Sequence, residues 1–276
     1  GKTVHALSVL QLLPPAARIS GGEILYRGKN LAALSRRELR QIRGNKISMI
    51  FQDPAASLNP VLTVGEQLTE TILAHRKISK KEARLQAARL LQKVGIAEPE
   101  KRLLEYPFQF SGGMCQRVMI AMALALSPDV LIADEPTTAL DVTIQAQILK
   151  LIKDLQKESG MSAVFITHNL AVVAGIADDV LVLYAGECME YAPAAELFKN
   201  PLHPYTQGLL KSLASVHNKA DILPVIKGHP PVPGEKITGC PFAPRCPHAF
   251  EKCRQTCPPL FNKNGRQVRC WQLEDK

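Results

Sequence analysis

The stretch SPDVLIADEPTTALDVTIQAQ, residues 127–147, sets an apolar run directly against two adjacent carboxylates. Val130, Leu131, Ile132 and Ala133 lie between Pro128 and Pro136 with no polar interruption, the pattern of a short strand buried on both faces of a parallel sheet. Asp134 and Glu135 then emerge at its carboxyl end, the edge where open α/β sheets bind ligands. Two carboxylates there suit chemistry on a nucleotide phosphate: one holds Mg²⁺, usually through water, and the next polarises a hydrolytic water. Taken alone, the same residues also describe a strand followed by an acidic turn.

Four further segments bear on that choice. The chain opens on Gly1-Lys2-Thr3 before an amphipathic stretch through Leu13, which matches the end of G-x-x-x-x-G-K-[ST]. In that loop glycine-rich backbone cradles phosphates, lysine reaches them and the hydroxyl meets Mg²⁺. KISMIFQDPAASLNP, residues 46–60, reads as a strand ending at Gln52 and a Pro/Asn/Ser loop, placing an amide at a sheet edge. In YPFQFSGGMCQ, residues 106–116, Ser111 with Gly112 and Gly113 opens a helix running to about Leu126 and offers free N–H groups to an anion, although an ordinary N-cap explains it equally. AVFITHN, residues 163–169, reads as a second buried strand ending at His168, which by itself is more often structural than catalytic.

GKT, Gln52, FSGGM, ADEP, TALD and ITHN occur in an order and spacing that resemble the ATPases of ABC transporters across essentially the whole chain. MIFQDP, SLNP, QRVMIAMA, LIADEPTTALDVT, ITHNLAVVA and HPYTQGLL bring the resemblance closer to the ATP-binding subunits of dipeptide and oligopeptide importers. The resemblance implies an α/β fold: a P-loop NTPase core of the ABC type, an inserted helical subdomain and a small Cys-rich carboxyl-terminal module. It implies Glu135 as catalytic base, His168 as switch histidine and Gln52 as the residue coupling the site to membrane subunits. Gly1, Lys2 and Thr3 would hold phosphates, with Thr3, Gln52 and Asp134 around Mg²⁺. Ser111, Gly112 and Gly113 would cap ATP held by a partner subunit, and Asp141 would line the seam between the two. Phe110 and Met114 depart from the generic LSGGQ, but the Ser-Gly-Gly donors are intact. The glycine-rich part of the loop, its feeding strand and the adenine-stacking aromatic do not precede Gly1, so the sequence reads as an amino-terminally truncated piece whose own ATP binding is open.

The implied partners are a second ATPase subunit, with a paralogous heterodimer favoured, two permease subunits, and indirectly an extracytoplasmic peptide-binding protein. The implied location is peripheral, on the cytoplasmic face of the cell membrane. Alternatives are an importer of nickel or another small solute, a catalytically inactive partner subunit, and a soluble ABC ATPase acting on nucleic acid. No apolar run reaches the roughly 18 residues of a membrane-spanning helix. The net charge of +9 divides as +3 over residues 1–200 and +6 over residues 201–276. The basic residues of the tail are scattered without an aromatic stacking series, which argues against direct nucleic-acid contact.

The ATPase domain is expected over residues 1–215, with helical spacing over about 64–125, and the tail module over 216–276. A hairpin is expected around Gly21-Gly22, a short helix over Ser35–Arg43, a strand over Asp179–Leu183 with a turn at Ala185-Gly186, and a helix over His203–Leu213. In the tail regular periodicity gives way to Pro, Gly and Cys. Cys240, Cys246, Cys253, Cys257 and Cys270 fall within 31 residues, five of the chain's seven cysteines. A loop-rich segment in a reducing compartment points to a metal staple rather than disulfides. Zinc suits four thiolates but usually with CxxC knuckles, which are absent, whereas iron–sulfur ligation tolerates wider spacing. By resemblance Cys240, Cys246, Cys253 and Cys270 would hold a [4Fe-4S] cluster, with Cys257 as the alternative to Cys270. Cys115 and Cys188 read as ordinary packing cysteines.

Overall fold

The computed structural model describes residues 1–138, 140–212, 225–232 and 234–274. The expected boundary at 215/216 and the expected helix end at residue 213 lie outside these residues. Two compact units are present, Thr3–His168 and Gly1–Lys2 with Asn169–Lys276.

The first unit runs α1 (Lys2–Val9), β1 (Leu25–Tyr26), β2 (Lys29–Asn30), α2 (Arg36–Ile42), β3 (Ile47–Ile50), α3 (Pro54–Ser57), α4 (Val64–Leu73), α5 (Lys80–Lys93), α6 (Pro99–Arg102), α7 (Gly112–Leu124), β4 (Val130–Asp134), α8 (Val142–Ser159) and β5 (Ser162–Ile166). Strands β3, β4 and β5 form a parallel sheet in that order, with Ile50 opposite Ala133 and Asp134 opposite Ile166. All three strands therefore end at one edge. Central β4 is buried, as its apolar run requires, but β5 is an outer strand of this sheet and Val164 is 50% exposed. The expectation of a buried β5 is not met among the described residues, where β5 has a strand partner, β4, on one side only. On the sheet, Ala6 and Leu10 from α1 pack with Ile47, Met49 and Ile132.

The helical stretch folds because its apolar faces meet: Leu68 and Ile72 of α4, Ala83, Ala87 and Leu91 of α5, and Val118 and Ile120 of α7 are wholly buried in one core. Capping boxes start three helices, with Ser35, Thr63 and Ser79 each accepting from the backbone N–H of Glu38, Glu66 and Glu82, whose carboxylates reach back to the cap. Those hydrogen bonds hold the three carboxyls below the usual glutamate range.

Where α4 begins, the N–H groups of Val64 and Gly65 donate to the carbonyls of Glu105 and Leu103 at 2.9 Å each, tying the helix to the loop that leads to α7. A Cβ on Gly65 would lie 2.4 Å from the Leu103 carbonyl oxygen. Gly65→Ala is therefore expected to cost about 1–3 kcal/mol, read as a lower thermal midpoint. An unchanged midpoint would show that the loop yields freely.

The hairpin expected at Gly21-Gly22 is instead β1–β2, turning at Arg27-Gly28. A two-residue hairpin turn of this kind needs positive φ at both central residues, and Arg27 and Gly28 supply 48° and 76°, whereas of the glycine pair only Gly22 is positive.

The second unit contains α9 (Leu170–Ile176), β6 (Asp179–Tyr184), β7 (Glu187–Pro193), α10 (Ala194–Lys199), α11 (Pro204–Lys211), α12 (Glu251–Gln255), β8 (Phe261–Lys263) and β9 (Arg266–Val268). The tail is thus more regular than its composition suggests. Its β8–β9 hairpin turns at Asn264-Gly265, with φ of 51° and 78°, and β9 pairs with β7 to complete a four-stranded antiparallel sheet ordered β6-β7-β9-β8. Beneath it, Glu190 of β7 is fully buried and accepts from Arg266 of β9 at 2.7 Å and from the Leu202 and His203 amides at 2.9 and 3.0 Å.

Candidate active site

The sheet edge assembles three of the expected residues around one carboxylate. Asp134 is the last residue of β4 and is 1% exposed. Glu135 follows in the left-handed backbone region, φ 46°, and its N–H donates to the Ile166 carbonyl at 2.8 Å, which locks the end of β4 to the end of β5. A non-glycine residue held there stores strain of a kind concentrated at functional sites. Oε2 of Glu135 accepts from Gln52 Nε2 at 3.0 Å, and Oε1 pairs with His168 Nδ1 at 3.0 Å. A carboxylate can only accept, so in this arrangement Nδ1 of His168 carries a proton.

Thr138, three residues on, donates its hydroxyl to the same Oε2 at 2.9 Å. The sequence reading missed this contact, and its one available signal was a hydroxyl residue three positions after an acid, a local turn pattern. The glutamate side chain is 16% exposed and that of His168 68%, so the carboxylate is largely covered while the imidazole faces solvent.

Ser111 caps α7 through its hydroxyl to the Met114 N–H. Asp141 caps α8 by accepting from the Ile144 N–H at 2.9 Å. These two helix starts meet: a Cβ on Gly113 would lie 3.1 Å from Cγ2 of Ile144. Gly113 thus leaves room for the close approach of the two helix starts. Gly112 is exposed, and its Cβ would meet nothing within 4 Å. Thr3 lies in the first turn of α1 in the same unit, while Gly1 and Lys2 belong to the other.

In the second unit, Cys240, Cys246, Cys253 and Cys270 line one pocket together with Phe242 and His203. The Cys240 N–H donates to the Cys253 carbonyl at 2.8 Å and brings the two halves of the tail together. Cys257 is not among the lining residues, although it lies near enough to Cys240 to influence it. Burial first, then the neighbouring thiols, pushes the Cys240 thiol up to about 11. Burial likewise raises the thiols of Cys246 and Cys270. Burial also pushes the His203 imidazole down to about 4 against the opposing pull of Glu190, so it is neutral at pH 7. Among the described residues, no three His, Cys, Asp or Glu side chains form a group that could hold a metal ion. Cys115 is buried in the main core and Cys188 lies half-buried on β7.

Solved structures give the arrangement its class. The chain aligns over 70% of its length and 82% of the other, at TM-score 0.60 and 30% identity, with the dimeric post-hydrolysis state of the ATP-binding cassette MJ0796 bound to ADP and Pi. It aligns similarly, at TM-score 0.62 and 28% identity over 72% and 75%, with cbiO1 from Clostridium perfringens, part of the transporter complex cbiONQ. The fold is that of an ABC ATPase. Residues 1–138 match the family described as ABC transporter, and residues 189–253 match the oligopeptide/dipeptide transporter C-terminal region. The oligopeptide transport ATP-binding protein AppD of Bacillus subtilis is 49% identical over all of this chain and 85% of its own length. The dipeptide transport ATP-binding protein DppD of the same organism is 50% identical over all of this chain and 83% of its own. The chain belongs to the ABC transporter family, in the branch of ATP-binding subunits that carries the oligopeptide/dipeptide C-terminal region.

Proposed function

We propose that the chain is the ATP-hydrolysing subunit of a peptide importer, resting on the cytoplasmic face of the membrane against two permease subunits and paired with a paralogous ATPase. The observation that carries this reading is the Glu135 carboxylate, set at the strand edge between Gln52 and His168. Relatives named for oligopeptide and dipeptide transport, about half identical over the whole chain, support the substrate class. No helix among the described residues is long and apolar enough to cross a membrane.

Residues of the first unit supply donors that fit Mg²⁺. Asp134 offers carboxylate oxygens at the strand end, Gln52 spends its N–H on Glu135 and keeps an amide oxygen, and Thr3 adds a hydroxyl, the hard oxygen donors that Mg²⁺ takes. When bound, the ion neutralises phosphate charge. Glu135 orients the attacking water and accepts its proton, and His168 holds Glu135 from the opposite oxygen. By resemblance Gly1 and Lys2 would hold phosphates, and Ser111, Gly112 and Gly113 would cap a nucleotide held by a partner subunit, with Asp141 at the seam.

The four pocket cysteines fit a soft metal group by donor chemistry. Their sequence spacing lacks the CxxC knuckles usual for zinc, whereas thiolate ligation of a [4Fe-4S] cluster tolerates it, which supports the cluster as the better reading. Binding would displace the protons that burial holds on the thiols. After anaerobic purification, serine at Cys240, Cys246, Cys253 or Cys270 is expected to abolish iron–sulfur absorbance, while Cys257→Ser keeps it. Zinc without iron by elemental analysis would overturn this assignment.

The function itself is tested in vesicles holding the full-length gene product, its partner ATPase and the two permeases. ATP-dependent uptake of di- and oligopeptides is expected. Uptake of nickel or another solute in their place would remove the peptide reading.

A further inference from the structure

We propose that Thr138 is a positioning residue for ATP hydrolysis, its hydroxyl fixing the Glu135 carboxylate in the orientation from which it serves the attacking water. This rests on the assignment of Glu135 made above. Glutamate has a flexible side chain whose ordering costs entropy, so a base on a strained loop needs external donors to hold one orientation. Three are present. Gln52 and His168 come from loops 83 and 33 residues away in sequence, whereas Thr138 is three residues away on the loop of Glu135 itself. Any displacement of the other two loops leaves the Thr138 hydroxyl beside Oε2.

The hydroxyl is not required to close the turn. The backbone does that, through the Thr138 N–H donating to the Glu135 carbonyl at 3.2 Å. The side-chain bond at 2.9 Å is therefore additional to the turn, and it is spent on the carboxylate oxygen that Gln52 also engages.

The experiment is steady-state ATP hydrolysis by the full-length gene product with its partner subunits, for Thr138→Val and Thr138→Ser, each alone and combined with Glu135→Gln. Thr138→Val is expected to lower kcat about tenfold, the scale of one hydrogen bond to a charged group, with KM for ATP within about twofold of the parent. Thr138→Ser, which keeps the hydroxyl, is expected to restore most of kcat. In the Glu135→Gln background the valine is expected to add nothing, because its effect runs through the carboxylate. An unchanged kcat in Thr138→Val, an equal loss in the Glu135→Gln background, or no recovery with serine would each overturn the proposal. Failure of the underlying assignment is separate: Glu135→Gln alone would then hydrolyse ATP at the parental rate.

Discussion

Glu135→Gln in the full-length gene product is expected to slow ATP hydrolysis by about 10²–10⁴, the range lost when a positioned general base is removed. ATP binding is expected to persist, because glutamine is nearly isosteric and the change alters the group that serves water rather than the groups that hold phosphate. Glutamine can keep a contact with His168 or with Thr138, but its amide cannot accept a water proton. The loss should therefore appear in kcat with little change in KM, the pattern of an interaction made in the transition state. Measurement of both constants for parent and variant decides it. A Glu135→Gln protein with parental kcat would falsify the role of Glu135 and would favour a subunit whose chemistry is supplied elsewhere.

The strand and carboxylates of the site were readable because their signals are local: an apolar run between two prolines, followed by Asp134 and Glu135 at its end. The convergence of Gln52 and His168 on Glu135 followed from placing three strand ends at one parallel edge. Thr138 escaped notice because the partner of its hydroxyl depends on how the glutamate side chain turns, which no spacing encodes. The exposure of Val164 depends on strand order, again a non-local fact. Asn264-Gly265 carries a strong hairpin signal, but the Pro- and Cys-rich surroundings concealed the short flanking strands. The clustering of cysteines was plain in their spacing. The four that line one pocket, Cys240, Cys246, Cys253 and Cys270, were named through the resemblance and not through spacing, since Cys270 reaches the pocket only after the β8–β9 hairpin has returned the chain.

The return of the hairpin has an energetic consequence at Arg266. Its guanidinium donates from Nη2 both to the buried Glu190 carboxylate at 2.7 Å and to the Asn200 carbonyl at 2.8 Å, binding β9 to β7 and to the segment before α11. The arginine side chain is 8% exposed and the glutamate 0%, so neither charge can fall back on water. Arg266→Leu would leave Glu190 with two backbone amides and no counter-charge. Stranding one member of a buried ion pair costs about 3–5 kcal/mol, which corresponds to a drop in thermal midpoint on the order of 10 °C. The pair need not be net stabilising for this to hold, since the penalty comes from the charge left behind. A second replacement separates the two ideas: Glu190→Leu together with Arg266→Leu removes both charges and should recover a substantial part of the loss. A single Arg266→Leu change costing less than about 1 kcal/mol would mean that solvent reaches Glu190. In that case Glu190 would no longer explain how β9 is held to β7.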